Sequence, residues 1–211
     1  MTTFRIALAT AALLAAGGLA AHAADAKMSF FVSSTGSGDG ANLGGLAGAD
    51  ALCDKLATAA GSTGKTWHAY LSATGVNAKD RIGKGPWYNA KGELIASSLD
   101  ELHGPANKIT KQTALTEAGN IVNGRGDNPN QHDILTGSNP DGTLAEGKTC
   151  GDWTSDAADG LTIVGHSDRT GLDESDAAKS WNPSHPTKGC GQQGLVSTGG
   201  AGYLYCFAVE G

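Results

Sequence analysis

The chain is poor in cations, in large aliphatic side chains and, past its N-terminal segment, in long apolar runs. Lys and Arg number 15 against 21 Asp and Glu, a net charge of −6. Affinity for nucleic acid is carried largely by clustered cations, so no nucleic-acid partner is expected. Leu, Ile, Val and Phe are sparse while Gly reaches 32 of 211 residues, which points to few helices and to many loops and short strands. No later stretch supplies the roughly 20 apolar residues of a spanning helix, so no membrane span is expected. Two catalytic signatures are missing too: there is no Gly-x-Ser-x-Gly and no His-Glu-x-x-His. The chain therefore reads as a non-enzyme, although such motifs do not test for glycosidase-type carboxylate pairs.

What is present begins with an address. Arg5 gives a positive start, Ile6 to Leu19 is small and apolar, and Ala21-His22-Ala23 has the small residues of a cleavage site. Residues 1–23 read as a signal peptide cut near Ala23, which makes the protein secreted or periplasmic, in a space where disulfides persist. The remaining residues 24–211 are enough for one core and read as one domain. Four cysteines, Cys53, Cys150, Cys190 and Cys206, allow three pairings.

Along that domain, Ser29 to Ser33 reads as a strand. Leu46, Ala49, Cys53, Leu56 and Ala60 recur at helical spacing ahead of Gly61, predicting the one main helix. Trp67 to Leu71 alternates as a strand, and Pro86-Trp87-Tyr88 and Glu93 to Ala96 form a hairpin. Ser98 caps a short helix that Gly104-Pro105 ends. Ile134 to Gly137 and Thr149 to Thr154 read as short strands, and Tyr203 to Val209 as the closing strand. From Asn107 to Asp133 the chain is polar and irregular. Arg125-Gly126-Asp127 within it is three turn-forming residues in a row. Asp127, Asn128, Asn130 and Asp133 offer the converging oxygens that a Ca²⁺ loop uses, or else a turn solvated by its own carboxylates. In the acidic excursion after Cys150, His166 and Asp168, together with His185 and Trp181, offer imidazole and carboxylate ligands suited to a transition metal, or a polar cluster beside an aromatic platform suited to a sugar. The alternative is that Trp181 anchors the core and the histidines serve loop hydrogen bonds.

The order of landmarks, helix with Cys53, strand Ile134-Leu135-Thr136-Gly137, Cys150, Trp181-Asn182, Cys190 and the closing strand with Cys206, resembles the C-type lectin-like domain. Leu43 to Cys53, Gly85-Pro86-Trp87 and Leu204-Tyr205-Cys206-Phe207 are similar to segments of bacterial secreted proteins of the lectin and endostatin-like branch of that fold. The resemblance covers nearly the whole of residues 24–211. It implies an α+β fold of short antiparallel strands, one main helix, long loops and two disulfides, Cys53–Cys206 and Cys150–Cys190. It also implies a Ca²⁺-assisted sugar site at Asn139-Pro140-Asp141 and Trp181-Asn182-Pro183. Both motifs depart from the family's pattern: Asn139 is a methylene shorter than Gln, and Pro183 removes a carboxylate oxygen. Asn139-Pro140-Asp141-Gly142 also has the chemistry of a plain β-turn.

The expected ligand-binding residues are thus Asn139, Asp141, His166, Asp168, Trp181, Asn182 and His185. Asp127, Asp133 and Asp141 are the expected Ca²⁺ ligands, and Ca²⁺ is the one candidate cofactor. The expected function is a secreted lectin-like module for a carbohydrate or glycosylated surface. The alternatives are an endostatin-like structural or protein-interaction domain without a sugar site, and an exported hydrolase.

Overall fold

The longest strand of the computed structural model, which describes residues 24–209, is β8 (Gly200–Val209), and three other strands pair directly with it. The signal peptide expected over residues 1–23 lies outside the described residues. Along β8, Leu204 and Cys206 enter one apolar cluster while Tyr205 and Phe207 enter another. Successive strand residues point to opposite faces, so a strand buried on both sides reads as an apolar run, as Tyr203 to Val209 does.

β1 (Phe30–Val32) and β2 (Thr66–Ala69) pair antiparallel with β8, as Phe31↔Cys206 and Ala69↔Cys206 show. The hairpin of β3 (Trp87–Tyr88) and β4 (Leu94–Ala96) forms a separate two-stranded sheet. β5 (Asp133–Leu135) pairs with β8 in parallel, a departure from the expected antiparallel arrangement that the isolated Val32↔Thr116 bridge shares. Outward from it the sheet continues through β6 (Ile163–His166) to β7 (His185–Pro186), both pairings antiparallel.

Helix α1 (Gly45–Ala59) buries Ala49, Cys53 and Ala57 at four-residue spacing against one face of the sheet. Two of its carboxylates accept main-chain N–H groups of β2: Asp54 Oδ1 from Trp67 at 3.0 Å and Asp50 Oδ1 from Ala69 at 2.9 Å. Cys53–Cys206 then ties the helix to β8, and Cys150–Cys190 joins the two middle cysteines; these are the pairs the resemblance implies. No free cysteine is present. On the other face Tyr70, Trp87, Ile95, Trp181 and Phe207 make the second cluster, against which α2 (Leu99–His103) lays Leu102. Ser98 caps α2 by accepting from the Glu101 N–H at 3.2 Å. Among the described residues no helix is long and apolar enough to cross a membrane.

Two local expectations are corrected. Thr149 to Thr154 does not extend as a strand: Cys150, Gly151, Asp152 and Trp153 form a left-handed turn with φ of 50, 62, 53 and 67°. L residues take that region at a cost of about 1–2 kcal/mol each. Here the turn is held by Cys150–Cys190, by the Trp153 indole N–H donating to the Ser72 carbonyl at 2.8 Å, and by Asp152 N–H donating to Thr149 Oγ1 at 3.2 Å. The acidic excursion after Cys150, in turn, contains a buried strand, β6.

Candidate functional site

The strand order β5–β6–β7 places four ionisable side chains at one end of the sheet. Asp133 opens β5 and lies directly across the ladder from His166, the last residue of β6. His185 opens β7, paired with Val164 of β6. His132 precedes β5. Gly165 lets the Trp181–Asn182 main chain pass so close that a Cβ there would lie 1.8 Å from the Trp181 carbonyl oxygen, and this crossing brings β7 back beside β6.

Asp133 is 1% exposed, and three imidazoles surround its carboxylate. His132 Nε2 and His166 Nε2 each lie 3.3 Å from Oδ1, and His185 Nε2 lies 3.5 Å from Oδ2. His132 and His166 are buried with it and their rings stack with centroids 4.2 Å apart, whereas His185 is half-exposed. Each ring is oriented through its other nitrogen. His132 Nδ1 meets Asp168 Oδ1 at 2.9 Å, His166 Nδ1 meets the Ala178 carbonyl at 2.7 Å, and His185 Nδ1 meets the Pro186 carbonyl at 3.0 Å. A carbonyl or carboxylate oxygen only accepts, so in all three rings Nδ1 carries the proton. In a neutral ring Nε2 is then a bare lone pair.

The balance inside this cluster is unusual. Both Asp133 oxygens and His166 Nε2 are buried without a hydrogen-bond partner in the protein, and buried polar groups are ordinarily paired. Burial pushes the Asp133 carboxyl up, but the facing His166 and His185 and the charge of His185 and His132 outweigh it and hold it below the usual carboxylate range. Reciprocally, Asp133 draws His185 upward against the effect of its burial. Asp168 is also held low: burial raises it, but His132 and the Arg125 main-chain N–H, which donates to Oδ2 at 2.7 Å, prevail.

The cluster forms part of the wall of a cleft of about 840 Å³. His132, His166 and His185 line it together with Arg125, Asn130 and Ser184, and Leu172, 88% exposed, stands on its border.

Of the residues expected from sequence to bind ligand, His166, Asp168 and His185 come together here. Their partners His132 and Asp133 complete the group. His132 was not singled out by any motif; its signal was only its place beside Asp133 at the start of an apolar strand. Trp181 is elsewhere: it is 3% exposed and packs on Tyr70 and Tyr205 at 4.7 and 5.2 Å, so it is a core anchor and no platform in the cleft.

Asn182 is buried as well. Its amide N–H groups point to the Tyr70 hydroxyl at 3.1 Å and to the Asn139 and Pro140 carbonyls at 3.0 and 3.2 Å. It therefore ties down the Asn139–Gly142 turn from inside and offers no oxygen to a cation there. Asn139 donates to Thr143 Oγ1 and to the Leu144 carbonyl, and Asp141 is taken up by Thr143 and Lys79.

The expected Ca²⁺ set is also engaged piecemeal. Asp127 pairs with Lys111 at 2.5 Å and accepts the Gly124 N–H at 2.7 Å, Asp141 pairs with Lys79, and Asp133 is enclosed by imidazoles. Among the described residues, the group spaced to hold a metal ion is His132, Asp133 and His166, whose ligand atoms lie within 4.8 Å of one another. No known family profile matches the chain, and no curated protein shows significant similarity to it.

Proposed function

We propose that the protein is an exported binding module of C-type-lectin-like architecture whose cleft takes a hydroxyl-rich ligand, a carbohydrate or glycosylated surface. The observation that carries this reading is the 840 Å³ cleft, whose size suits a small organic ligand and whose wall converges imidazole, guanidinium, amide and hydroxyl groups. Sugar hydroxyls are bound by such groups, and the exposed Leu172 offers an apolar contact. The architecture is supported by the disulfide from α1 to the closing strand and by the pairing of the first strand with the last. Two disulfides also accord with an extracellular or periplasmic setting.

A glycan array probed with the purified protein, with and without chelator, tests the reading. Binding that Arg125→Ala and Asn130→Ala weaken at least tenfold supports it, and silence across the array removes it in favour of a protein-interaction domain. A second reading, an exported hydrolase, is favoured by the buried carboxylate and imidazoles beside the same cleft. Turnover of a glycoside or ester panel that His166→Ala abolishes would establish it.

A further inference from the structure

We propose that His132, Asp133, His166 and His185 form a binding site for a single Zn²⁺ ion, opening onto the cleft. This goes beyond the ligand-binding reading above and does not depend on what the cleft recognises.

Three observations carry it. The first is the donor set. Three imidazole nitrogens and one carboxylate are ligands that suit a borderline cation such as Zn²⁺, whereas Ca²⁺ prefers an all-oxygen shell. The second is spacing. Ligands about 2.1 Å from a tetrahedral ion lie about 3.4 Å from one another. Asp133 Oδ1 lies 3.3 Å from Nε2 of both His132 and His166, and the ligand atoms of these three residues lie within 4.8 Å of one another. His185 Nε2 stands outside that group, 3.5 Å from the other oxygen, Oδ2, and must swing inward to become the fourth ligand.

The third is orientation together with an unmet need. All three rings give their Nδ1–H to an oxygen of Asp168, Ala178 or Pro186, the outer contact that fixes a metal-binding histidine with Nε2 free. Meanwhile Asp133 Oδ1 and Oδ2 and His166 Nε2, all deeply buried, have no partner in the protein. Wherever these rings are neutral, a bare Nε2 lone pair faces a carboxylate, which is destabilising by itself, and a dication between the nitrogens and the carboxylate relieves it. His185, half-exposed, closes the site from the cleft side, so this is the direction from which an ion enters. The His132 and His166 rings are within 7° of parallel, so sharing one ion requires one ring to turn about its Cβ–Cγ bond.

The test uses the full exported chain, stripped with chelator, and ZnCl₂ alone. The expected results are one Zn²⁺ per chain by calorimetric titration, a rise in melting temperature with added Zn²⁺, and visible absorption of tetrahedral Co²⁺ on substitution. His166→Ala should abolish the stoichiometric binding. Asp168→Asn, which alters the outer contact of His132 along with the acceptors of the Arg125 and Thr170 main-chain N–H groups but replaces no proposed ligand, should weaken it by about 10- to 100-fold. Because His166 is buried and its variant can fail to fold, His185→Ala at the half-exposed position is the companion: it should fold, bind Zn²⁺ at least tenfold more weakly and change the Co²⁺ spectrum. No stoichiometric Zn²⁺ binding by the wild-type chain, or binding and Co²⁺ spectra unaltered in both His185→Ala and Asp168→Asn, would overturn the proposal. A silent glycan array with Zn²⁺ bound would remove only the carbohydrate reading, and sugar binding by a chain that takes no Zn²⁺ would remove only this one.

Discussion

The side-chain amide of Asn182 donates to the hydroxyl of Tyr70 at 3.1 Å, joining the Trp-Asn segment to the strand region that follows α1. The same NH₂ group reaches the Asn139 and Pro140 carbonyls, so one buried side chain fastens three distant pieces of chain. Asn182→Ala removes all three contacts at once; the Asn139 carbonyl keeps the Gly142 N–H and the Tyr70 hydroxyl keeps His103, so the expected cost is about 1 kcal/mol for each net hydrogen bond lost. Asn182→Asp should destabilise more, because a carboxylate would face two carbonyl oxygens. Urea unfolding midpoints of the two variants check the order; a more stable Asn182→Asp with added Ca²⁺ would instead support the cation site implied by the lectin motif.

The two disulfides should differ in weight. Cys53–Cys206 spans 153 residues and Cys150–Cys190 spans 40. In the chain-entropy account their removal costs about 5 and about 4 kcal/mol respectively. Paired Cys→Ala variants compared by equilibrium unfolding should show the larger loss for the first pair, which also holds α1 on the sheet.

Acidification should weaken the fold through His103. Burial holds this imidazole below its usual value of 6.5, outweighing its Leu99 carbonyl contact; Lys79 also lowers it, and Asp141 and Asp100 raise it. Its Nδ1–H faces the Leu99 carbonyl at 2.9 Å, so Nε2 accepts from the Tyr70 hydroxyl at 2.7 Å. The neutral ring is the form the fold favours. Below about pH 6.5 the unfolded chain takes up this proton first, so the stability present above that pH falls as the pH drops through the lower folded-state value. Melting temperature followed from pH 8 to pH 4 should decline less steeply for His103→Gln than for the wild type.

Gly165→Ala should be among the most damaging single substitutions. The added Cβ would meet main-chain atoms of Trp181 and Asn182 at 1.8 to 2.5 Å, and main chain cannot swing aside as a side chain can. The strand β6 would have to leave the 181–182 crossing, carrying His166 away from Asp133. Loss of soluble yield, or a sharply lowered melting temperature with altered histidine NMR signals, is the expected outcome.

Much of the scaffold is written locally. α1 follows from apolar residues at helical spacing, α2 from Ser98 as its cap, and β8 from its continuous apolar run, because periodicity and capping involve residues only a few positions apart. The left-handed turn at Cys150 was not legible in this way. Thr149, Cys150 and Trp153 have strand-like chemistry, and it is a disulfide and the reach of Trp153 to Ser72 that overrule it. Nor was β6 legible, since Ile163 and Val164 are a short run among Gly and Asp.

The cluster divides the same way. Its side-chain types, imidazole and carboxylate, are plain in the sequence, and with the signal-like N-terminus and four cysteines they bound the kind of protein this is. Which of them meet is another matter. His132 finds Asp168 across a separation of 36 residues, and Asp133 faces His166 only because β5 and β6 pair in one register. A shift by one residue would turn Asp133 to the opposite face of the sheet. Register is set by the apolar packing of the whole sheet, by the Gly165 crossing and by the return of β7, none of which any single stretch of chain contains.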